Sequence, residues 1–440
     1  MHNNLDVVFL GGLFPEEIKE EIIRNSKGDI QNAANNLQWE IVKGLDANIG
    51  DNVKIINSLY IGSYPKRYKK MKINTFPFAH NDSVPTDVNV GFINIFGIKH
   101  FSRYFSLKSY LKEWATSETS SQKIIIAYAM TAPFTHLLKY LKKLNKDIVT
   151  CLIVPDLPNY MNLTNQHRLY SLLKNLEIKM IKQDLNSVDS YVLLTEYMRT
   201  ALNIKVPSII IEGISTNLFK NISDIPEEIP LKTILYSGGL VEKYGIRDLI
   251  NAFERLEGSD YRLVICGSGE AESFIREAQK RDKRIIFKGL INREEVLEIQ
   301  KNSYILINPR KNDEEYTKYS FPSKLMEYLS SGTPVISYRL DGIPKDYYPH
   351  FYEVKEVEDG LYETLKEVLL KDENELREKG QQARAFVLEN KNGKKQIEKL
   401  VVMITNLLTQ LNRSGEIESE LITEKGNKRR LFDVGANKEI

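Results

Sequence analysis

Short apolar runs rich in Ile and Val alternate along this chain with longer amphipathic stretches. Runs at 7–10, 53–58, 91–95, 123–127, 150–154, 190–194 and 208–212 predict strands in the first half. Runs at 232–237, 262–266, 284–288, 304–307 and 334–337 predict strands in the second. Many are apolar on both faces, as central strands of a helix-covered parallel sheet must be. Helical spacing occupies 133–144, 246–256, 271–282 and 294–301. The alternation predicts an α/β chain with parallel sheets.

The strands fall into two sets. Between them runs GISTNLFKNISDIPEEIP, residues 213–230, with Pro226 and Pro230, which reads as an interdomain linker with its hinge at Glu212 and Gly213. The expectation is two Rossmann-like, doubly wound domains, 1–220 and 221–392, facing each other across a cleft. In 393–412, Ile397, Leu400, Val401, Ile404, Leu407 and Leu408 share one helical face, expected to pack back across the domains. Residues 413–440 are polar and charged and are expected to form a mobile tail, its KRR at 428–430 included.

With 440 residues, 42% apolar and 27% charged, the chain can bury substantial cores without staples. Its 61 basic and 59 acidic residues leave a net charge of +2, which removes the global case for a nucleic-acid partner. Local basic patches remain, and PKRYKKMK at 65–72 could face anionic lipid. Cys151 and Cys266 each lie in an apolar run, as buried reduced thiols do, and two such residues make neither a disulfide framework nor a zinc site. The N-terminus has no signal-peptide pattern and no run is long enough to span a bilayer. A cytoplasmic location is expected, with room for peripheral contact at the inner face of the plasma membrane.

The most informative stretch is YILINPRKNDEEYTKYSFPSKLMEYLSSGTPVIS, residues 304–337. A strand enters a polar loop, and the loop ends at Ser320, Phe321, Pro322 and Ser323, where a helix starts. Pro322 suits a first helical turn, Ser320 a cap and Gly332 a helix stop. The free N–H groups and positive dipole end of such a helix can seat a diphosphate. Glu327 shares a helical face with Ser323, so its carboxylate lies one turn beyond the phosphates, where it can accept from two vicinal ribose hydroxyls. A second element, TILYSGGLVEKYGIRDLI, brings a strand into Gly238 and Gly239, then Lys243 and a helix bearing Arg247. Glycines admit a phosphate close to the backbone and a lysine adds a compact positive charge. A third, VICGSGE, places Gly267 and Gly269 after a strand, and a fourth, IIFKGL, ends at Gly289 and Leu290. Arg310 follows the strand at 304–307.

These elements resemble glycosyltransferase family 4, and the YSFPSKLMEYL variant is similar to bacterial exopolysaccharide and capsule enzymes. The resemblance implies the GT-B arrangement, with the nucleotide-sugar donor in the second domain. It assigns Glu327 to the nucleotide ribose, Lys288, Gly289 and Leu290 to the base, and Lys243 to the departing diphosphate. Two positions depart from the pattern: Tyr319 replaces the acid that contacts the donor sugar, and Gly239 replaces a basic residue. In the first half, Gly11 and Gly12 sit where the family has a glycine loop facing the donor. Asp156, in CLIVPDLP, follows a strand where ligands of such sheets bind and is the candidate for meeting acceptor or reacting sugar. His100 and His136 stand at no metal-ligand spacing and read as structural, with His136 near the cleft rim.

The chain lacks Asp-x-Asp. The expected reaction is metal-independent, cofactor-free and retaining, moving sugar from a nucleotide-sugar, with UDP the default, to a saccharide or lipid-linked saccharide in cell-surface polysaccharide synthesis. The alternatives are a catalytically inactive GT-B partner of an active transferase, prompted by Tyr319 and Gly239, and a sugar-nucleotide epimerase.

Overall fold

The computed structural model describes residues 5–28, 30–50, 52–81, 86–157, 177–220 and 232–411. Two sheets organise them. The first runs Ser208–Ile210, Ser190–Leu193, Val149–Val154, Gln122–Tyr128, Leu5–Gly11, Val53–Asn57, Asp87–Asn89, Phe76–Phe78, and every pairing is parallel except the last. The second runs Ile285–Gly289, Tyr261–Cys266, Lys232–Ser237, Ile305–Asn308, Val335–Ser337, Tyr352–Glu353, all parallel. In each, the first strand in sequence lies inside the sheet and the chain winds out to both sides. The order therefore reverses beside Leu5–Gly11 in one domain and beside Lys232–Ser237 in the other. Such switch points open a crevice at the carboxyl ends of the strands.

The apolar runs are buried because both sheet faces are covered. In the first domain Val7, Phe9, Ile124 and Ile126 face one cluster, while Val8, Leu10, Ile125 and Ala127 face another. The helix 393–411 contributes Ile397, Leu400, Val401, Ile404 and Leu408 to the first of these, so the end of the described chain closes the N-terminal domain. The second domain repeats the arrangement, with Ile234, Leu263 and Ile305 on one face and Leu235, Val264 and Leu306 on the other.

One strand differs from the expectation. Residues 91–95 do not enter the parallel sheet; Phe92–Ile93 pairs instead with Lys72–Ile73 in a small antiparallel ribbon. The place beside Val53–Asn57 goes to Asp87–Asn89, whose polarity hides it from an apolar search. Its polar groups are buried but satisfied: Asp87 Oδ1 accepts from the Ile55 N–H at 2.8 Å, and Asn89 Oδ1 from Asn57 Nδ2 at 2.9 Å.

The two domains also meet at the hinge. Glu212 accepts from the Tyr347 hydroxyl at 2.7 Å and pairs with Lys391 at 2.8 Å, and Lys391 pairs in turn with Asp346 at 2.6 Å. The stretch read as a linker begins by packing, for Ser215 N–H donates to the Lys391 carbonyl at 2.7 Å and Phe219 is buried. Pro226 and Pro230 lie outside the described residues, as do residues 412–440 and the Pro158 that follows Asp156.

Candidate functional site

The second domain gathers its candidate residues at the ends of neighbouring strands. A cleft of about 240 Å³ is lined by Gly238, Gly239, Gly267, Leu290, Cys266 and Lys324. Gly267 has φ +140°, and a Cβ there would lie 1.9 Å from the Gly238 carbonyl oxygen, so the two glycine loops approach closer than any side chain allows. Gly267 N–H also donates to the Gly289 carbonyl at 2.8 Å, tying the third element to the fourth. Leu290 is 80% exposed at the mouth. Burial pushes the Cys266 thiol up to about 11, so it stays protonated and lines the wall as a small apolar group.

The helix Ser323–Ser331 is fixed to this cleft from below. Tyr328, fully buried, accepts from the Ser237 N–H at 2.8 Å and donates to the Ser237 carbonyl at 3.0 Å. Glu327 Oε1 accepts from Lys324 Nζ at 2.6 Å and from Gln300 Nε2 at 2.7 Å, and Gln300 also donates to Ser237 Oγ at 3.0 Å. Glu327 is thus held by one residue of its own helix and one of the helix Arg293–Lys301.

The start of the helix differs from the expectation in detail. Pro322 is the cap position rather than a first-turn residue, and it supplies no side-chain cap. Ser320 does not cap the helix either; its hydroxyl donates to the Tyr316 carbonyl at 3.2 Å and accepts from Arg310 Nη2 at 3.0 Å. Phe321 turns inward against Tyr347. Arg310 lies over the Tyr316 ring at 4.5 Å, and Lys243 approaches the same ring at 5.9 Å, which brings both cations to the loop before the helix. Arg247 is engaged elsewhere, with Glu242 and the Phe274 ring.

In the first domain Gly11 and Gly12 end the strand at the switch point, and packing accounts for both. A Cβ on Gly12 would stand 2.2 Å from the Tyr60 ring, and one on Gly11 would stand 2.6 Å from Phe9. Both are buried, and the Gly12 N–H is spent on Gln38 Oε1 at 2.7 Å. Asp156 stands just beyond Val149–Val154, with solvent on one side and protein raising its pKa to about 6 by desolvation. His136 Nδ1 meets buried Asp184 at 2.6 Å, and Lys139 shares that carboxylate at 2.8 Å. Tyr319 packs against the N-domain cluster that contains Leu10 and Leu157, chain neighbours of Gly11 and Asp156. Beside it, Thr195 Oγ1 donates to the Lys318 carbonyl at 2.7 Å, a bond between the domains.

Lys324 and Gln300 were missed by the sequence reasoning. Lys324 had a signal, since it is a cation next to Ser323 and three residues before Glu327. Gln300 had none, because nothing local distinguishes it from a solvated helix residue.

Residues 219–386 match the family model for glycosyl transferases group 1. The chain carries a group 1 glycosyltransferase domain. That domain takes in every second-domain element described above, from the Gly238 loop to the helix of Glu327. No curated protein sequence matches the chain significantly. Several solved structures share its whole fold. The apo lipopolysaccharide outer core galactosyltransferase WaaB is 14% identical, covers 91% of this chain and 99% of its own, and gives a TM-score of 0.56. Sucrose-phosphate synthase from Thermosynechococcus elongatus is 14% identical, with coverages of 93% and 100% and a TM-score of 0.57. Anabaena Alr3699/HepE, solved in complex with UDP, is 11% identical, with coverages of 91% and 100% and a TM-score of 0.58. The architecture is therefore GT-B, two Rossmann-like domains, and the glycosyltransferase domain within it makes this chain a glycosyltransferase.

Proposed function

We propose that this glycosyltransferase moves a sugar from a UDP-sugar to a lipid-linked saccharide, with retention and without a metal, in cell-surface polysaccharide synthesis. The observation that carries the donor half is one cleft lined by Gly238, Gly239, Gly267, Leu290 and Lys324, with Glu327 bonded to Lys324 behind it. The diphosphate lies at the start of Ser323–Ser331, held by N–H groups of the first turn and by Lys324, Lys243 and Arg310. Glu327 exchanges its bonds to Gln300 and Lys324 for the ribose hydroxyls, and the base lies against Leu290. UDP is the nucleotide of choice because the Anabaena protein of the same fold was solved with it.

As the anomeric carbon–oxygen bond breaks, charge builds on the leaving diphosphate, and these fixed positive groups stabilise it. The acceptor hydroxyl attacks from the face the diphosphate leaves, giving up its proton to the departing phosphate oxygen. Asp156 orients the acceptor or the reacting sugar from the opposite wall. A second reading, a catalytically inactive partner, is favoured by Tyr319, which offers an aromatic ring to the N-domain instead of a carboxylate to a sugar.

Calorimetric titration with UDP and GDP, each with and without EDTA, separates these readings. Micromolar UDP binding that EDTA leaves intact is expected. Loss of binding in EDTA overturns the metal-free part. Nucleotide binding with no sugar turnover supports the inactive partner, and binding of neither nucleotide overturns the donor site.

A further inference from the structure

The helix Lys99–Thr116 is inverted with respect to water. It buries Lys99 and Arg103 together with Leu107 and Leu111, while Phe101 and Phe105 are 68% and 65% exposed. The preceding turn adds Phe96 at 66% exposure and Ile98 at 49%. Ile98, Phe101 and Phe105 fall at helical spacing on one face. Scattered exposed apolar residues are ordinary, whereas a contiguous aromatic patch beside buried cations is not.

The inversion has a local cause. Arg103 donates to the carbonyls of Ser58 and Leu59 and lies over the Phe92 ring at 4.4 Å, and Lys99 donates to the Ile61 carbonyl. Both cations anchor the helix to the segment that leaves Val53–Asn57, at the crevice end of the sheet. The aromatic residues are thereby turned outward.

The basic segment 65–72 borders the patch. Lys72 pairs with Ile93, Asn94 N–H donates to the Met71 carbonyl at 2.7 Å, and Ile93 N–H donates to Ser102 Oγ at 2.8 Å, so ribbon and helix form one surface. Met71 and Ile93 add apolar area at 51% and 44% exposure. Residues 61–112 hold nine lysines and arginines against two aspartates; of these, Lys99 and Arg103 are the buried anchors and Asp87 is buried against His80. Lys70 is paired with Glu21 at 2.6 Å, while Lys66, Arg67, Lys69 and Lys72 are also exposed. Exposed aromatic side chains bordered by the exposed cations of 65–72 match an anionic bilayer, in which rings insert at the headgroup level and lysines meet phosphate.

We propose that Phe96, Ile98, Phe101 and Phe105, with the cations of 65–72, are the docking face for an anionic membrane surface. The face lies at the crevice end of the N-terminal domain, where it would bring the cleft to an acceptor embedded in lipid. That consequence rests on the acceptor reading above; the docking face itself does not.

The test is co-sedimentation of the full chain with vesicles of phosphatidylcholine alone and of phosphatidylcholine mixed with phosphatidylglycerol. Binding to the mixed vesicles only is expected, reduced at least about tenfold in Phe101→Ser/Phe105→Ser and in Lys66→Glu/Lys72→Glu. The replaced side chains are exposed, so melting temperature and UDP binding stay at wild-type values, and a failure of UDP binding in the wild type would count against the donor site alone. Equal binding to both vesicles, binding to neither, or wild-type binding by the phenylalanine variant overturns the proposal. So does a concentration-dependent dimer abolished by the same phenylalanine variant, because a second copy would then cover the face.

Discussion

Lys324 Nζ and Gln300 Nε2 converge on a single oxygen of Glu327, at 2.6 and 2.7 Å, from two different helices. The carboxylate is therefore positioned before any nucleotide arrives, bonded to the Lys324 that lines the cleft. Because the bonds are shared, changes at the two ends of the pair will not add. Glu327→Ala and Lys324→Met are each expected to raise the Kd for UDP at least about tenfold, the value of a hydrogen bond to a charged group. The double variant is expected to lose less than the two losses combined. Isothermal titration of the four proteins measures this, and strictly additive losses would show that the residues act separately.

Asp156 carries a pH signature. Asp156 is open to solvent on one side, and desolvation by the protein around the other raises its folded pKa to about 6, above the ordinary value of 3.8. The folded protein then binds more protons than the unfolded chain between those values, so stability falls as pH rises from about 4 to 6 and levels off above. Asp156→Asn should melt higher than the wild type at neutral pH and alike at pH values below the ordinary carboxylate range. If the ionised carboxylate serves the reaction, the wild-type rate also rises through about pH 6, and the variant lacks that limb. An unchanged limb in the variant would assign the titration to another group.

The glycine loops can be separated by their surroundings. Gly267→Ala places a methyl 1.9 Å from the Gly238 carbonyl at φ +140°, whereas Gly289→Ala meets open space at φ +68°. The first should destabilise by at least about 2 kcal/mol and abolish UDP binding. The second should cost only about 1 kcal/mol, the strain of the left-handed backbone alone. Urea denaturation with nucleotide titration reads both, and equal losses would mean that the packing of the two loops is not what matters at Gly267.

The hinge is held by a buried charge. Glu212 and Lys391 side chains are 2% and 6% exposed, so removing the cation strands a carboxylate inside the protein. Lys391→Met is expected to cost about 3–5 kcal/mol, and adding Glu212→Gln should restore much of it. Chemical denaturation of the three variants decides this; a double variant as unstable as the single would show that Lys391 acts through Asp346 instead.

Much of the fold was legible because its signals are local. Apolar runs became the strands Leu5–Gly11, Gln122–Tyr128, Val149–Val154 and Lys232–Ser237, and the amphipathic stretch near 246 became Ile246–Glu254. The strand Asp87–Asn89 escaped because its polarity is answered by Ile55 and Asn57, more than 30 residues away in sequence. Ser320 looked like a cap until Arg310 claimed its hydroxyl.

What the sequence determined by itself is the alternation that makes two α/β sheets, the glycines that end their strands, and the spacing that puts Ser323, Lys324 and Glu327 on neighbouring turns of one helix. Tertiary structure alone decided that Gln300 would hold Glu327, that the Tyr60 ring would require Gly12, that Tyr319 would bear on the N-terminal domain, and that Lys99–Thr116 would turn its aromatic face outward. The first set follows from backbone periods and capping, which act within a few residues. The second depends on which distant surfaces the crossovers bring together, and no local pattern encodes that.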